Sequence, residues 1–178
     1  MELAEQDLMN ASLSIMLLVL LALAVWQDLT ERRISNVLTL GGLACGIGLQ
    51  SLWGGSSGLL NALAGAGVGL VCLLPLYLSK GMGAGDVKLM AAAGAFFGPT
   101  DAFVAALLSL ASGAVLALVI LLWRTHEIRV AAAGTPAGAA GGSVLMQLRK
   151  ERFPYAAAIA VGVVATLWLS GSLEVLIP

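Results

Sequence analysis

The chain has 178 residues, of which 60% are hydrophobic and 11% are charged, and its net charge at pH 7 is −1. Soluble domains carry roughly 25% charged and about 45–50% apolar residues, so this composition excludes an ordinary soluble domain and predicts an integral membrane protein. The near-neutral balance gives no bulk electrostatic attraction for nucleic acid, and we expect no nucleic-acid partner.

Six apolar segments are candidates to cross the membrane, because a spanning helix needs about 20 largely apolar residues and at least about 17. We therefore predict an all-α, polytopic membrane protein with about six transmembrane helices, forming one domain over residues 1–178. The fourth segment is too short to cross alone unless residues of the glycine-rich stretch before it join the helix. In chain order the segments are 9–26, 37–53, 58–78, 87–97, 102–123 and 155–173.

Basic residues are confined to alternate connections between these segments, namely 27–36, 79–86 with Lys88 just beyond it, and 124–153. The positive-inside rule places these connections in the cytoplasm and both termini on the non-cytoplasmic side. A cleaved signal peptide begins with basic residues, whereas the N-terminal residues here contain no Lys or Arg. We therefore expect the first segment to be retained as a helix. The nine basic residues are Arg32, Arg33, Lys80, Lys88, Arg124, Arg129, Arg149, Lys150 and Arg152.

The last of these connections, 124–153, is predicted to be a flexible cytoplasmic loop, because 134–142 is low-complexity Ala/Gly sequence. Residues 143–152 fit either a short interfacial helix or a solvated loop. Glycines four residues apart recur within the apolar segments and predict close helix packing in one bundle, with contact between two copies as the alternative. These pairs are Gly42/Gly46, Gly65/Gly69 and Gly94/Gly98.

Two carboxylates stand at the predicted cytoplasmic border of the apolar segments. Asp28 follows the first segment, and Asp86 precedes the fourth within the stretch Gly81-Met82-Gly83-Ala84-Gly85-Asp86-Val87-Lys88. Charge beside a spanning segment is costly and marks a functional site by default. Structural roles remain open for each residue alone, since Asp28 can cap a helix end and pair with Arg32, and Asp86 can be the N-cap of the fourth helix.

Carboxylate chemistry is what the sequence offers for catalysis. The single histidine, His126, lies in the charged loop, and Cys45 and Cys72 lie in apolar runs without a CxxC pair, which argues against a Ser–His or Cys–His nucleophile and a zinc site. Two close carboxylates share a proton, so one can activate water while the other protonates the substrate, and we expect no cofactor. Helix dipoles favour Asp86 as the carboxylate and Asp28 as the acid.

Three motifs together resemble the type IV prepilin peptidases, which are membrane aspartic proteases with a GxGD motif. The resemblance covers most of the chain apart from the first ten residues and the Ala/Gly-rich loop. The motifs are Asp28 followed by Arg33-Ile34-Ser35-Asn36, the GxGD stretch Gly83-Ala84-Gly85-Asp86 continued by Val87-Lys88-Leu89 and Gly94, and Pro154-Tyr155 at the start of the last segment with Ile159 and Gly162.

The resemblance implies an endopeptidase of the bacterial cytoplasmic (inner) membrane that removes the leader of prepilins or pilin-like proteins. The substrate would have a basic leader and a hydrophobic N-terminal helix, and cleavage would follow a glycine at the cytoplasmic face. Membrane lipid would be the other partner of the protein. Asp28 and Asp86 would be catalytic, Gly83 and Gly85 would place Asp86, and Lys88 would tune Asp86 or reach lipid headgroups. The other supporting residues would be Asn36, Pro154 and Tyr155.

The sequence departs from the larger members of that family. Those members carry a cytoplasmic domain with paired CxxC motifs and also methylate the mature N-terminus, whereas the first connection here is about ten residues long and has no CxxC. The chain therefore resembles the short branch that serves tight-adherence (Flp) pili. We expect no N-methyltransferase activity.

Two other classes of function fit a membrane protein with carboxylates. A small transporter or proton-coupled channel also uses such groups, but it usually places them near the bilayer midplane on broken helices rather than at one border. A catalytically silent membrane assembly factor is the third class. Cleavage of a leader by the purified chain separates all three.

Overall fold

A computed structural model describes residues 2–132 and 155–171, and every regular element in them is a helix. The predicted all-α class is confirmed for these residues. Helix α1 includes Asp28, which the sequence analysis placed after the first segment, and α3 begins three residues earlier than predicted. The helices are α1 (Glu2–Glu31), α2 (Asn36–Leu78), α3 (Ala84–Phe97), α4 (Pro99–Ala132) and α5 (Tyr155–Leu169).

Helix α2 contains both the second and the third predicted segments and reverses direction inside. Gly55 has non-helical dihedrals, φ 58° and ψ −136°, and the side chains of Gln50 and Asn61 are 3.3 Å apart. A straight helix would separate residues eleven positions apart by about 16 Å, so the chain must fold back at Gly55. One non-helical residue is enough for this reversal, because glycine adopts positive φ without steric cost. We call residues 36–54 the first arm and 56–78 the second arm.

Helix α3 lies between the two arms of α2, and small residues bring the backbones together. The backbones of Gly65 in the second arm and Gly94 in α3 are in contact, with no room for a Cβ atom at either position. In the first arm, a Cβ at Gly46 would lie 3.0 Å from the ring of Phe96. The prediction that the spaced glycines serve packing within one bundle is confirmed at these positions.

Helices α1, α4 and α5 enclose the other side of α3. The Ser112 hydroxyl of α4 donates a hydrogen bond to the carbonyl of Ala158 in α5 at 2.8 Å, and Gly162 of α5 meets the backbone of Ser109. Helix α1 contributes a buried apolar face to the same core, which is formed by Leu13, Leu17, Leu20, Leu21 and Ala24.

Three stretches of the described residues are long and apolar enough to cross a membrane: Leu8–Glu31 in α1, Asn36–Leu78, and Pro99–Ile120 in α4. Helix α3 has 14 residues and α5 has 15. The number of spans and the orientation of the termini therefore stay predictions.

The first part of the loop predicted at 124–153 is helical. Helix α4 continues to Ala132 and thus includes residues 124–132. The remainder of the predicted loop, including the Ala/Gly sequence and the segment 143–152, lies outside the described residues. So does the end of the sixth predicted segment, beyond residue 171.

Candidate active site

Asp86 is fixed by the first turn of α3. Gly83 is the N-cap residue and Asp86 occupies the third helical position, so Asp86 is not the N-cap that the sequence suggested. One carboxylate oxygen of Asp86, Oδ2, accepts a hydrogen bond from the backbone N–H of Gly83 at 3.0 Å. This is the acid half of a capping box, which satisfies a backbone donor at the helix start. The residue is 9% exposed, so neighbouring parts of the bundle enclose it.

The glycines before Asp86 provide space rather than an unusual backbone. Gly83 has φ −80°, which any residue adopts, and Gly85 lies inside the helix. A Cβ at Gly83 would lie 3.1 Å from Asp86 Oδ2, and a Cβ at Gly85 would lie 3.1 Å from Cβ of Ile34. The chain turns before Gly83 and Gly85, at the end of α2.

That turn is made by Lys80, whose φ is 60°. The N–H groups of Lys80 and Gly81 donate to the carbonyls of Tyr77 and Leu76, each at 2.9 Å. These two bonds form a Schellman motif, in which the left-handed position is usually glycine. A lysine there carries a steric cost of about 1–2 kcal/mol. Arg32 (φ 52°) takes the same conformation after α1, so both chain segments that lead away from these helices begin with a left-handed basic residue.

Asp28 lies in the last turn of α1. One oxygen of its carboxylate, Oδ2, is buried and has no hydrogen-bond partner among the described residues. The alternative role for Asp28, a side-chain pair with Arg32, is not adopted, since Arg32 follows the helix end and approaches Asp28 through its backbone N–H, which donates to the Asp28 carbonyl at 3.0 Å.

A three-residue segment, Ile34-Ser35-Asn36, connects the surroundings of the two aspartates. The N–H of Ser35 donates to Gln27 Oε1 at 3.0 Å, next to Asp28. Ile34 packs against Gly85, and Asn36 Oδ1 accepts a hydrogen bond from Lys88 Nζ at 2.8 Å. Asp28 and Asp86 therefore lie at the same end of the helix bundle. The sequence analysis did not select Gln27, although an amide one residue before the acid, in an apolar helix, was a signal for it.

The remaining predicted supporting residues lie at the start of α5. Tyr155 is the first residue of that helix, and its ring packs on Gly113 of α4, 3.0 Å from the position of a Cβ there. Its role is thus to fix α5 against α4. Pro154 lies outside the described residues.

A cavity of about 100 Å³ lies at the opposite end of α1, and neither Asp28 nor Asp86 lines it. Its polar lining residues are Asn10, Ser14 and Asp101. Asn10 and Asp28 are eighteen positions apart on one helix, which is roughly 27 Å. Within the described residues no three His, Cys, Asp or Glu side chains are grouped closely enough to hold a metal ion.

The comparison with protein families bears directly on this end of the bundle. The profile of the type IV leader peptidase family matches residues 15–118, which is more than half of the chain and includes both aspartates. The chain belongs to the type IV leader peptidase family. No match was found among curated proteins or among solved structures. With three long apolar stretches, this type IV leader peptidase relative is a membrane protein.

The family match and the geometry overlap on α1, α2, α3 and the first part of α4. The matched residues include Gln27, the segment Ile34-Ser35-Asn36, and Lys88. Helix α5 lies beyond the matched residues. The leader peptidase assignment therefore covers the two aspartates but not the last described helix.

Proposed function

We propose that this type IV leader peptidase family member is an aspartic endopeptidase that removes the leader of prepilins or pilin-like proteins. Asp28 and Asp86 are its catalytic residues. One observation carries the assignment: Ile34-Ser35-Asn36 contacts Gln27 beside Asp28 and also contacts Gly85 and Lys88 on either side of Asp86. Two acids on different helices are thereby held at one end of the bundle.

Hydrolysis by two aspartates proceeds by proton exchange. The ionised aspartate takes a proton from water as the water oxygen bonds to the carbonyl carbon at the end of the leader. The protonated aspartate gives its proton to the carbonyl oxygen, which yields a neutral gem-diol. When the C–N bond breaks, the amine nitrogen receives the proton held by the first aspartate, and the second aspartate takes one from a hydroxyl of the diol.

The expected division into acid and base stays a prediction. Asp86 lies in the first turn of α3, where its carboxylate accepts the Gly83 N–H, and Asp28 lies in the last turn of α1. A helix N-terminus favours negative charge and a helix C-terminus disfavours it, each by typically about 0.3–1 kcal/mol. On this ground Asp86 is the carboxylate and Asp28 the acid in the free enzyme.

Six membrane crossings are supported by the reversal of α2 at Gly55, which divides five helices into six helical segments. The end of the bundle with both aspartates also has Arg32, Lys80 and Lys88, whereas the other end has Asp101. By the positive-inside rule, Asp28 and Asp86 lie at the cytoplasmic face of a bacterial inner membrane, and both termini lie on the other side.

The substrate is a protein with a basic leader and a hydrophobic N-terminal helix, of the kind that tight-adherence (Flp) pili use. Cleavage follows a glycine on the cytoplasmic side of that helix. The connection between α1 and α2 consists of residues 32–35 and has no cysteine, so it does not provide the paired CxxC domain of the methylating members. We therefore propose peptidase activity without N-methyltransferase activity.

Leader cleavage in a defined bilayer tests this function. The purified chain is reconstituted in proteoliposomes with an Flp-type prepilin, and mass spectrometry locates the cut. We expect a single cut after the glycine that ends the leader, and none in a matched substrate whose glycine is replaced by a bulky residue. Absence of cleavage, together with proton flux that depends on Asp28 or Asp86, would identify a transporter instead.

A further inference from the structure

The start of α2 has a backbone donor that its own helix does not use. Ser35 is the N-cap residue, and its hydroxyl and carbonyl accept the N–H groups of Leu38 and Thr39, each at 3.2 Å. In a capping box, a glutamate or glutamine at the third helical position accepts the N–H of the N-cap residue. The third residue of α2 is Leu38, which has no acceptor. The acceptor for the Ser35 N–H therefore has to come from another part of the chain.

The side chain of Gln27 in α1 supplies this acceptor. Its Oε1 accepts the Ser35 N–H at 3.0 Å, across eight positions of the sequence. In α3 the equivalent bond stays within one helix, because Asp86 accepts the N–H of Gly83. The start of α2 is instead closed by a residue of the preceding helix. Gln27 therefore caps α2 and at the same time ties α1 to α2.

This tie acts on the part of α1 that contains Asp28. Asp28 lies in the last turn, and helix ends fray because their last carbonyls lack intrahelical donors. Its Oδ2 has no hydrogen-bond partner among the described residues, so that oxygen does not hold the turn in place. Gln27, one residue earlier, fixes the turn to Ser35. The next residue, Asn36, accepts the bond from Lys88 of α3 at 2.8 Å.

We propose that Gln27 is a positioning residue of the active site. Its amide oxygen holds the last turn of α1, and with it Asp28, in place relative to the start of α2 and hence to Asp86. The inference rests on the proposed peptidase function and deepens it, because Gln27 lies outside the motifs that resemble the family. Gln27 acts through the backbone of α1 and exchanges no proton itself.

The contact can be measured without any substrate. Ile34-Ser35 is the single Ile-Ser pair in the sequence, so labelling with ¹³C-carbonyl isoleucine and ¹⁵N-serine gives one NMR signal, the Ser35 amide. We expect its proton to move upfield in Gln27→Met, which has no acceptor oxygen, and to stay near its position in Gln27→Glu, which keeps Oε1. Thr30→Val, which removes an exposed hydroxyl bonded within α1, is the control. An unchanged Ser35 signal in Gln27→Met overturns the proposal.

Kinetics separate positioning of Asp28 from capping of α2. We expect Gln27→Met to lower kcat about 10- to 100-fold with KM within about twofold, as for a misplaced reacting group. Thr30→Val should keep the wild-type kcat. Adding Leu38→Gln to Gln27→Met supplies an acceptor from within α2 and completes a capping box there. This double variant should regain thermal stability and keep the low kcat, because α1 stays untied. Recovery of kcat would show that Gln27 only caps α2.

The outcomes distinguish failure of this inference from failure of the proposed function. A wild type that cleaves the leader, with equal kcat in Gln27→Met, contradicts positioning and leaves the peptidase function standing. If Gln27→Met does not fold, the double variant is compared with Leu38→Gln alone, since both have an acceptor within α2. A wild type that cleaves nothing but shows the expected Ser35 shift refutes the peptidase function and the positioning role together, and the bond between Gln27 and Ser35 would stand.

Discussion

The ammonium group of Lys88 donates a hydrogen bond to Asn36 Oδ1 over 2.8 Å and joins α3 to the first residue of α2. The two residues are 52 positions apart in the sequence. Both side chains are exposed, so the bond adds about 1 kcal/mol or less to stability. Its consequence is geometric, because it fixes the start of α2 relative to Asp86, two residues before Lys88.

Loss of this bond should affect cleavage more than folding. We expect Lys88→Met and Asn36→Leu each to lower kcat about 10-fold, since either change releases α3 from the segment Ile34-Ser35-Asn36. The double variant should be no worse than the poorer single one. Lys80→Met, which removes a neighbouring charge, is the control. Multiplicative losses in the double variant would show that the two residues act separately.

Removal of either carboxylate should abolish cleavage while the fold is retained. An amide cannot take up or release the required proton, so Asp28→Asn and Asp86→Asn should each reduce kcat by roughly 10²–10⁴-fold. The double variant should lose little more, because the two groups act as a unit. Leader cleavage in proteoliposomes, with circular dichroism as the control for folding, measures this. Near-normal turnover in either single variant would exclude that residue from the catalytic pair.

Neighbouring glycines in the second arm of α2 should respond oppositely to a methyl group. Gly65 touches the backbone of Gly94, whereas a Cβ at Gly67 meets nothing within 4 Å. We expect Gly65→Ala and Gly94→Ala to destabilise the protein by about 1–3 kcal/mol through overpacking. Gly67→Ala should stabilise it by about 0.5–1 kcal/mol through reduced backbone entropy. Thermal unfolding in one detergent compares the three, and equal effects at positions 65 and 67 would contradict the packing of α3.

The proposed orientation can be tested by cysteine labelling. Cys45 is exposed and Cys72 is half-buried, so both are first replaced by alanine. In that background Glu31→Cys should react with an impermeant maleimide only after the cytoplasmic membrane is permeabilised, and Thr100→Cys should react in intact cells. The reverse pattern would invert the topology, and the same pattern at both positions would require a different number of crossings.

The sequence was sufficient to predict that Asp28 and Asp86 lie at the same end of the helices. Asp28 and Asp86 interrupt apolar sequence, and the cost of charge beside a membrane makes such interruptions informative. The start of α3 was predicted at Val87 because the apolar segment begins there. The helix instead begins at Ala84, since a capping carboxylate lets the first turn form over polar and small residues.

Contacts that depend on the assembled bundle could not be predicted from sequence. The bond between Lys88 and Asn36 joins residues 52 positions apart, and the bond between Gln27 and Ser35 depends on how the chain leaves α1. The reversal of α2 at the single non-helical residue Gly55 likewise depends on the packing of both arms against α3.

The burial of α3 has a consequence for how the protein is made. From Asp86 to Phe96 every residue except Lys88 is buried by neighbouring helices, and 14 residues of helix measure about 21 Å, less than the roughly 30 Å of the hydrocarbon core. Lipid alone would leave this helix mismatched and its carboxylate unshielded. We expect α3 to enter the membrane only when it packs between the two arms of α2. Asp86 would then reach the membrane after both arms of α2 have been inserted.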